Sequence, residues 1–271
     1  MKANTAFFFL AMSAVAAFAA RGTTGYADGR TPCDGFVLTR DNTSAAPYAT
    51  SVVFAQEDGA LVVRCMAEAP GVGERAAKTA GKGAWACAES FEFFIDTSGS
   101  GKASLLHLAL SPNGGWWDER APSAKGEELD WTVKVRTSAD SYEATARLPW
   151  KSLGLAKRPA TGAKWRINIG RNFAGESGET VFSSFAATGV RYKDPAKFAD
   201  LYFGSPAEVE AARRESIGKD LSAIRAEISA VGIEGEFVEK LAAFEKTGKA
   251  ELLVEIRDEL SVAKKLVNFK R

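Results

Sequence analysis

The chain has 271 residues but only one histidine and three cysteines. A histidine-based hydrolytic triad would have to use His107, which lies inside an apolar-alternating run rather than in a loop, where catalytic groups more often sit. No G-x-S-x-G elbow occurs anywhere in the sequence. Cys33, Cys65 and Cys87 fit no zinc spacing. In an oxidising compartment two of the three could pair, and Cys65 with Cys87 would link neighbouring strand regions. The odd count leaves one over, the sequence does not assign partners, and structural or incidental cysteines are the expected reading. An excess of charge is lacking too: 35 basic residues against 34 acidic ones leave a formal net charge of +1. That balance offers a polyanion no bulk attraction, so nucleic acid is not an expected partner. No internal repeat recurs at a fixed period.

Long apolar runs are also missing. The one apolar stretch near the start, Ala6 to Ala20, is shorter than the roughly 20 residues a membrane-spanning helix needs. It follows Lys2 and ends in Ala17-Phe18-Ala19, small residues at the two positions a signal peptidase inspects. Residues 1–19 therefore read as a leader cleaved after Ala19, and the protein as exported to the periplasm, cell surface or medium. No membrane span is expected once the leader is gone. Residues 20–35 read as a linker.

From about Phe36 to Gly204 the chain has the pattern of a β protein. Short alternating runs are separated by Gly, Ser, Asn, Asp and Pro. Leu61, Val63 and Cys65 fall on one side of a strand. Phe91, Phe93 and Ile95 alternate with Glu92, Phe94 and Asp96. Leu106, Leu108 and Leu110 oppose Leu105, His107 and Ala109. Trp131, Val133 and Val135 form a further run, as do Tyr142, Ala144, Ala146 and Leu148, and then Trp165, Ile167 and Ile169. So many half-buried strands with no long helices between them predict an antiparallel β-sandwich, jelly-roll or immunoglobulin-like, over 36–204. A short helical turn is expected from Pro149 to Leu155. Gly71 to Gly83 reads as a mobile rim loop.

At Ser205 the period changes. Ser205-Pro206-Ala207-Glu208 has the form of a helix start, with Ser as cap and Glu three positions later. Leu221, Ile224, Ile228 and Val231 then recur at helical spacing up to Gly232. Second and third helices are expected over Glu234–Lys246 and from Ala250 to about Leu266, the last carrying Leu253, Ile256, Leu260 and Ala263. Such stripes pack helix on helix or helix on sheet. Residues 205–271 thus form a C-terminal helical segment, with docking to a protein partner as its functional alternative.

Several motifs occur in a telling order. Glu92-Phe93-Phe94-Ile95-Asp96-Thr97 precedes Gly115-Trp116-Trp117-Asp118. Arg147-Leu148-Pro149-Trp150-Lys151-Ser152-Leu153 follows, then Trp165-Arg166-Ile167-Asn168-Ile169-Gly170-Arg171. Asp194-Pro195-Ala196-Lys197-Phe198 leads finally into Leu201-Tyr202-Phe203-Gly204. This resembles the family 9 carbohydrate-binding modules within the DOMON-like β-sandwiches, over roughly Phe36 to Gly204. The resemblance implies a non-catalytic site in which two aromatic rings clamp a sugar while polar side chains meet its hydroxyls. Trp85 stands where that family has its first clamp ring, Glu92 matches the polar strand residue, and Tyr192 takes the second clamp position. His107 lies on a strand where related modules carry hydroxyl-binding groups. Structural calcium is a further implication, with Asp58, Asp96 and Asp118 as candidate ligands.

The chemistry of a sugar suits the same residues. Its C–H face stacks on flat rings, and its hydroxyls need directional polar partners. Trp131, Trp150 and Trp165 lie on apolar faces or near a corner and are expected in the core. Trp116 and Trp117 are adjacent on a strand, so one ring points in and the other out, which makes Trp117 a further platform candidate. Arg171 and Asn172, at the end of their strand, reach the same rim. Glu89 and Glu92, odd in spacing, project to opposite faces and make a poor hydrolytic pair. The function expected is polysaccharide or oligosaccharide recognition assisting separate hydrolases. One rival is a haem-binding electron-transfer domain using Met66 and His107. The other is a cell-surface structural or docking protein.

Overall fold

The computed structural model describes residues 24–98, 105–120, 129–231, 234–247 and 250–269. Residues 1–19, read above as a leader, lie outside the described residues. Among the described residues thirteen strands form two sheets. They are β1 (Thr24–Tyr26), β2 (Asp28–Cys33), β3 (Val37–Leu38), β4 (Thr50–Glu57), β5 (Ala60–Glu68), β6 (Ser90–Asp96) and β7 (Leu105–Leu110). After these come β8 (Trp116–Arg120), β9 (Thr132–Thr137), β10 (Ser141–Pro149), β11 (Lys164–Ala174), β12 (Thr180–Ser184) and β13 (Ala199–Tyr202).

The smaller sheet runs β2-β4-β5-β10-β9. The larger runs β1-β13-β11-β6-β7-β8, and β12 joins β11 and β3. The long strand β11 thus pairs with β13 along Lys164–Ile167 and with β12 along Gly170–Ala174, while β6 lies on its other side. The pairing is antiparallel except at β1, which runs parallel to β13 with Gly25 opposite Leu201. Two strands, β1 and β2, fall inside the stretch read as a linker. Gly, Asp, Arg, Thr and Pro give these edge strands no alternating signal, and edge strands are where Pro is tolerated.

Period-2 alternation fixes which faces meet. Phe91, Phe93, Ile95, Leu106, Leu108, Leu110, Trp165, Ile167 and Ile169 of the larger sheet are buried. They face Val52, Phe54, Leu61, Val63, Cys65, Tyr142, Ala144, Ala146 and Leu148 of the smaller one. Trp131, Trp150 and Trp165 lie in the same core, as expected. The corner after Pro149 makes a 3-10 turn at Lys151–Leu153. All three cysteines are buried and unpaired. Cys87 Sγ lies 3.0 Å from Ser111 Oγ, and burial pushes the Cys33 thiol up to about 12.

The first helix, α1 (Val72–Lys78), replaces the loop expected between Gly71 and Gly83. Its short apolar contribution, Val72 and Ala76, is buried, and two residues at helical spacing are too few to announce a helix in a Gly- and Lys-rich stretch. Three more helices follow the sandwich: α2 (Pro206–Val231), α3 (Glu234–Thr247) and α4 (Ala250–Phe269). The start of α2 is the expected reciprocal cap. Glu208 N–H donates to Ser205 Oγ at 3.3 Å, and Ser205 N–H to Glu208 Oε2 at 2.8 Å. Ile224, Ile228, Leu241, Ile256 and Leu260 bury one another between the three helices. The side chains of Val231, Leu253, Ala263 and Leu266 lie outside the described residues. Among the described residues no helix is long and apolar enough to cross a membrane.

Candidate functional site

The outer face of the larger sheet collects polar and aromatic side chains because its strands alternate in register. Directly opposed residues of an antiparallel pair share a face. Trp117 of β8 faces Ala109 of β7, Ala109 faces Glu92 of β6, and Glu92 faces Gly170 of β11. In the neighbouring row Glu119, His107, Phe94 and Asn168 stand opposite one another. On the other side Ser90, Asn172 and Phe182 do so.

Glu92 is the hub. Its Oε2 lies 2.7 Å from His107 Nε2, and its Oε1 accepts a hydrogen bond from Asn172 Nδ2 at 2.7 Å. Asn172 Oδ1 in turn accepts from the Tyr192 hydroxyl at 2.8 Å. The other imidazole nitrogen of His107 is 3.9 Å from Glu119, which also meets Lys193 at 3.4 Å. His107 stacks on Phe94 at 4.2 Å and meets Trp117 edge-on at 5.0 Å. Trp117 is in turn 5.2 Å from Trp85. A carboxylate oxygen has two lone pairs, so each oxygen of Glu92 keeps acceptor capacity for a ligand hydroxyl. The chain of bonds fixes its direction beforehand.

Two loops frame this face. Trp85 sits in a turn pinned to the β7–β8 hairpin: Asn113 Nδ2 donates to Thr79 O at 3.0 Å. A Cβ on Gly115 would come within 2.6 Å of Lys82 O, so only glycine lets these backbones approach. On the opposite side, Asn168 anchors the segment that carries Tyr192. Its Nδ2 donates to Tyr192 O at 3.0 Å, and its Oδ1 accepts from Ala186 N–H at 3.0 Å. The Tyr192 ring lies on Gly170, where a Cβ would approach within 2.6 Å of it.

The structure brings Trp85, Glu92, His107, Trp117, Asn172 and Tyr192 together on one face, with Trp85 45% exposed. It separates Arg171 from them. Arg171 continues the inward parity of Trp165, Ile167 and Ile169 and is buried between the sheets, where its Nη1 donates to Thr50 Oγ1 at 2.5 Å. The rim placement of Arg171 is therefore corrected: β11 turns its side chain away. Tyr192, read above as the second clamp ring, is not an exposed wall. It is half-buried, its hydroxyl is bonded within the protein, and burial together with the charge of Glu92 pushes its ionisation well above the ordinary phenol range. The exposed ring on that side is Phe182, 47% exposed and 6.3 Å from Tyr192. Phe182 and Asn168 were missed by sequence reasoning. Each follows from strand parity, Asn168 from Trp165, Ile167 and Ile169, and Phe182 from its pairing with β11.

The three candidate calcium ligands do not converge. Asp58 lies in the β4–β5 turn of the smaller sheet. Asp96 ends β6 on the outer parity, and Asp118 of β8 has the inner parity and accepts from Trp131 Nε1 at 3.0 Å. Among the described residues no three His, Cys, Asp or Glu side chains gather around a metal position. Met66 is 58% exposed on the outer face of the smaller sheet, whereas His107 points outward from the larger one. The two stand on opposite sides of the sandwich and do not form an axial haem pair. Glu89 is buried against Arg75 rather than beside Glu92, so the two carboxylates diverge. A cavity of about 750 Å³ lies elsewhere, between Tyr26, Tyr202 and Lys164 and the helix residues Val209, Arg213 and Phe244.

Among solved structures the chain is similar to a family 9 carbohydrate-binding module from Caldicellulosiruptor kristjanssonii in complex with cellotriose. Identity is 17%, the match covers 67% of this chain and 93% of the other, and the TM-score is 0.47. A family 9 module from the same organism in complex with glucose gives 18% identity, 67% and 96% coverage and a TM-score of 0.46. No family model matches the chain, and no curated protein matches it.

Proposed function

We propose that this is an exported, non-catalytic module that binds carbohydrate on the outer face of its larger sheet. The observation that carries the reading is the exposed ring of Trp85, packed against the half-buried Trp117, beside a hydrogen-bonded chain of Glu92, His107, Asn172 and Tyr192 on the same face. Stacking surface beside pre-aimed polar groups is what a sugar, with its apolar ring face and its hydroxyl rim, asks of a protein. Nothing in this arrangement is set up to break a glycosidic bond, because Glu92 is held by His107 and Asn172 and its nearest sequence companion, Glu89, faces the interior. On this reading the leader at 1–19 delivers the module to the periplasm, cell surface or medium. There it assists separate hydrolases acting on polysaccharide.

Affinity electrophoresis through gels containing single polysaccharides tests this. Wild type is expected to be retarded in at least one of them. Trp85→Ala loses a half-exposed platform worth about 1.5–2 kcal/mol, a roughly ten- to thirtyfold weaker association, and should run ahead. Equal migration of both proteins in every gel refutes the reading.

A further inference from the structure

We infer, resting on that reading, that the ligand is a stretch of glycan chain laid across the strands, and that Phe182 is its second stacking platform. The exposed rings Trp85 and Phe182 lie at the two ends of the site, Trp85 packed against Trp117 of β8 and Phe182 on β12. Between them run β7, β6 and β11, each hydrogen-bonded to the next. Four inter-strand steps of about 4.8 Å put Trp117 and Phe182 about 19 Å apart, the reach of roughly four pyranose rings end to end. No single sugar touches both.

What lies between the rings suits a chain. Reading across the strands, the half-buried ring of Tyr192 follows Glu92 and His107, whose side chains are 12% and 15% exposed. Two polar tips and a ring thus lie along the path between the ends. The exposure of Phe182 has no account in core packing. Its strand neighbours Ser183 and Ser184 are buried, its partner across β11 is the polar Asn172, and among the described residues its one close ring is the edge-on Tyr192. A phenyl ring left half in water on an inner strand, on the same face as a directed polar chain, is spent on a ligand rather than on the fold.

The test is titration calorimetry with neutral β-linked gluco-, xylo- and manno-oligosaccharides of one to six units against wild type, Trp85→Ala and Phe182→Ala. Affinity of wild type for the preferred series should rise up to about four units and then level. Phe182→Ala should weaken binding of four units and longer about five- to tenfold, leave one and two units unchanged, and be rescued by Phe182→Trp. If affinity is the same at every length, or if Phe182→Ala either binds long chains as wild type does or loses all lengths equally, the inference fails. Carbohydrate binding then still stands, provided Trp85→Ala weakens the short ligands. If wild type binds no member of the panel, both fall.

Discussion

Replacing Arg171 by Met separates the two roles that this residue has been given, at the sugar rim or inside the fold. The guanidinium is 1% exposed. It donates to Thr50 Oγ1 at 2.5 Å and to the backbone carbonyl of Glu68, and lies 3.7 Å from Glu89 Oε2. Met fills most of the same volume but carries no charge, so Thr50 and the carbonyl lose a donor and Glu89 loses one of two cations. Breaking a buried ion pair from one side costs about 3–5 kcal/mol. Arg75 still holds Glu89 Oε1 at 2.6 Å, so the loss should fall at the lower end, about 3 kcal/mol, or a midpoint lowered by roughly 6–12 °C. The pH dependence has a definite sign. Burial raises the Glu89 carboxyl above its ordinary 4.5, while Arg171 pulls it back down. A carboxyl that holds its proton more tightly folded than unfolded favours the native state at low pH, and that advantage is lost as pH rises through the folded value. Without Arg171 the folded value climbs further, so the variant should be most impaired near pH 7.5 and less so near pH 5. Urea unfolding at both pH values measures this, and glycan affinity of the folded variant should match wild type. A deficit under about 1 kcal/mol near pH 7.5, or one independent of pH, refutes the buried-pair reasoning.

Three further outcomes follow from single contacts. Tyr142→Phe should leave stability unchanged or raise it by up to about 1 kcal/mol in the same urea assay, because the Tyr142 hydroxyl is buried and makes no hydrogen bond among the described residues. Gly170→Ala should displace the Tyr192 ring, cost about 1–3 kcal/mol and weaken glycan binding, since the new methyl would meet that ring at 2.6 Å; calorimetry reads both effects. Ser205→Ala removes the cap of α2 and should cost about 1 kcal/mol of helical-segment stability, followed by circular dichroism on heating.

Alternation made most of the sandwich legible. A strand buried on one face shows its parity in four or five residues, and Phe91-Phe93-Ile95 and Trp165-Ile167-Ile169 both lie where their parity assigns them. The same parity assigns Arg171 to the inner face, and only its charge speaks for the rim. Charge is a poor guide at this position because Glu89, Thr50 and two carbonyls, far apart in sequence, converge to receive it. The edge strands β1 and β2 were not legible, since pairing with Tyr202 and Ala55 is a tertiary fact with no local pattern. In the site, Trp85, Glu92 and His107 carry their own signals of residue type and position. The half-burial of Tyr192 does not, because it depends on Asn168 and Gly170 being beneath it.

The strand β11 explains why the site and the core are hard to alter separately. Its odd positions, Trp165, Ile167, Ile169 and Arg171, close the space between the sheets, while its even positions, Asn168, Gly170 and Asn172, build one half of the outer face. A shift of one residue would exchange the two sets, putting Arg171 beside Glu92 and Asn172 into the core without its partners. Strand β6 is bonded to β11 from Ser90 to Asp96 and carries Glu92 on the same terms. The register that buries Phe91 and Phe93 is therefore also what aims the Glu92 carboxylate at Asn172 and His107. The hydrogen-bonded chain on the outer face is held in position by apolar contacts on the inner one.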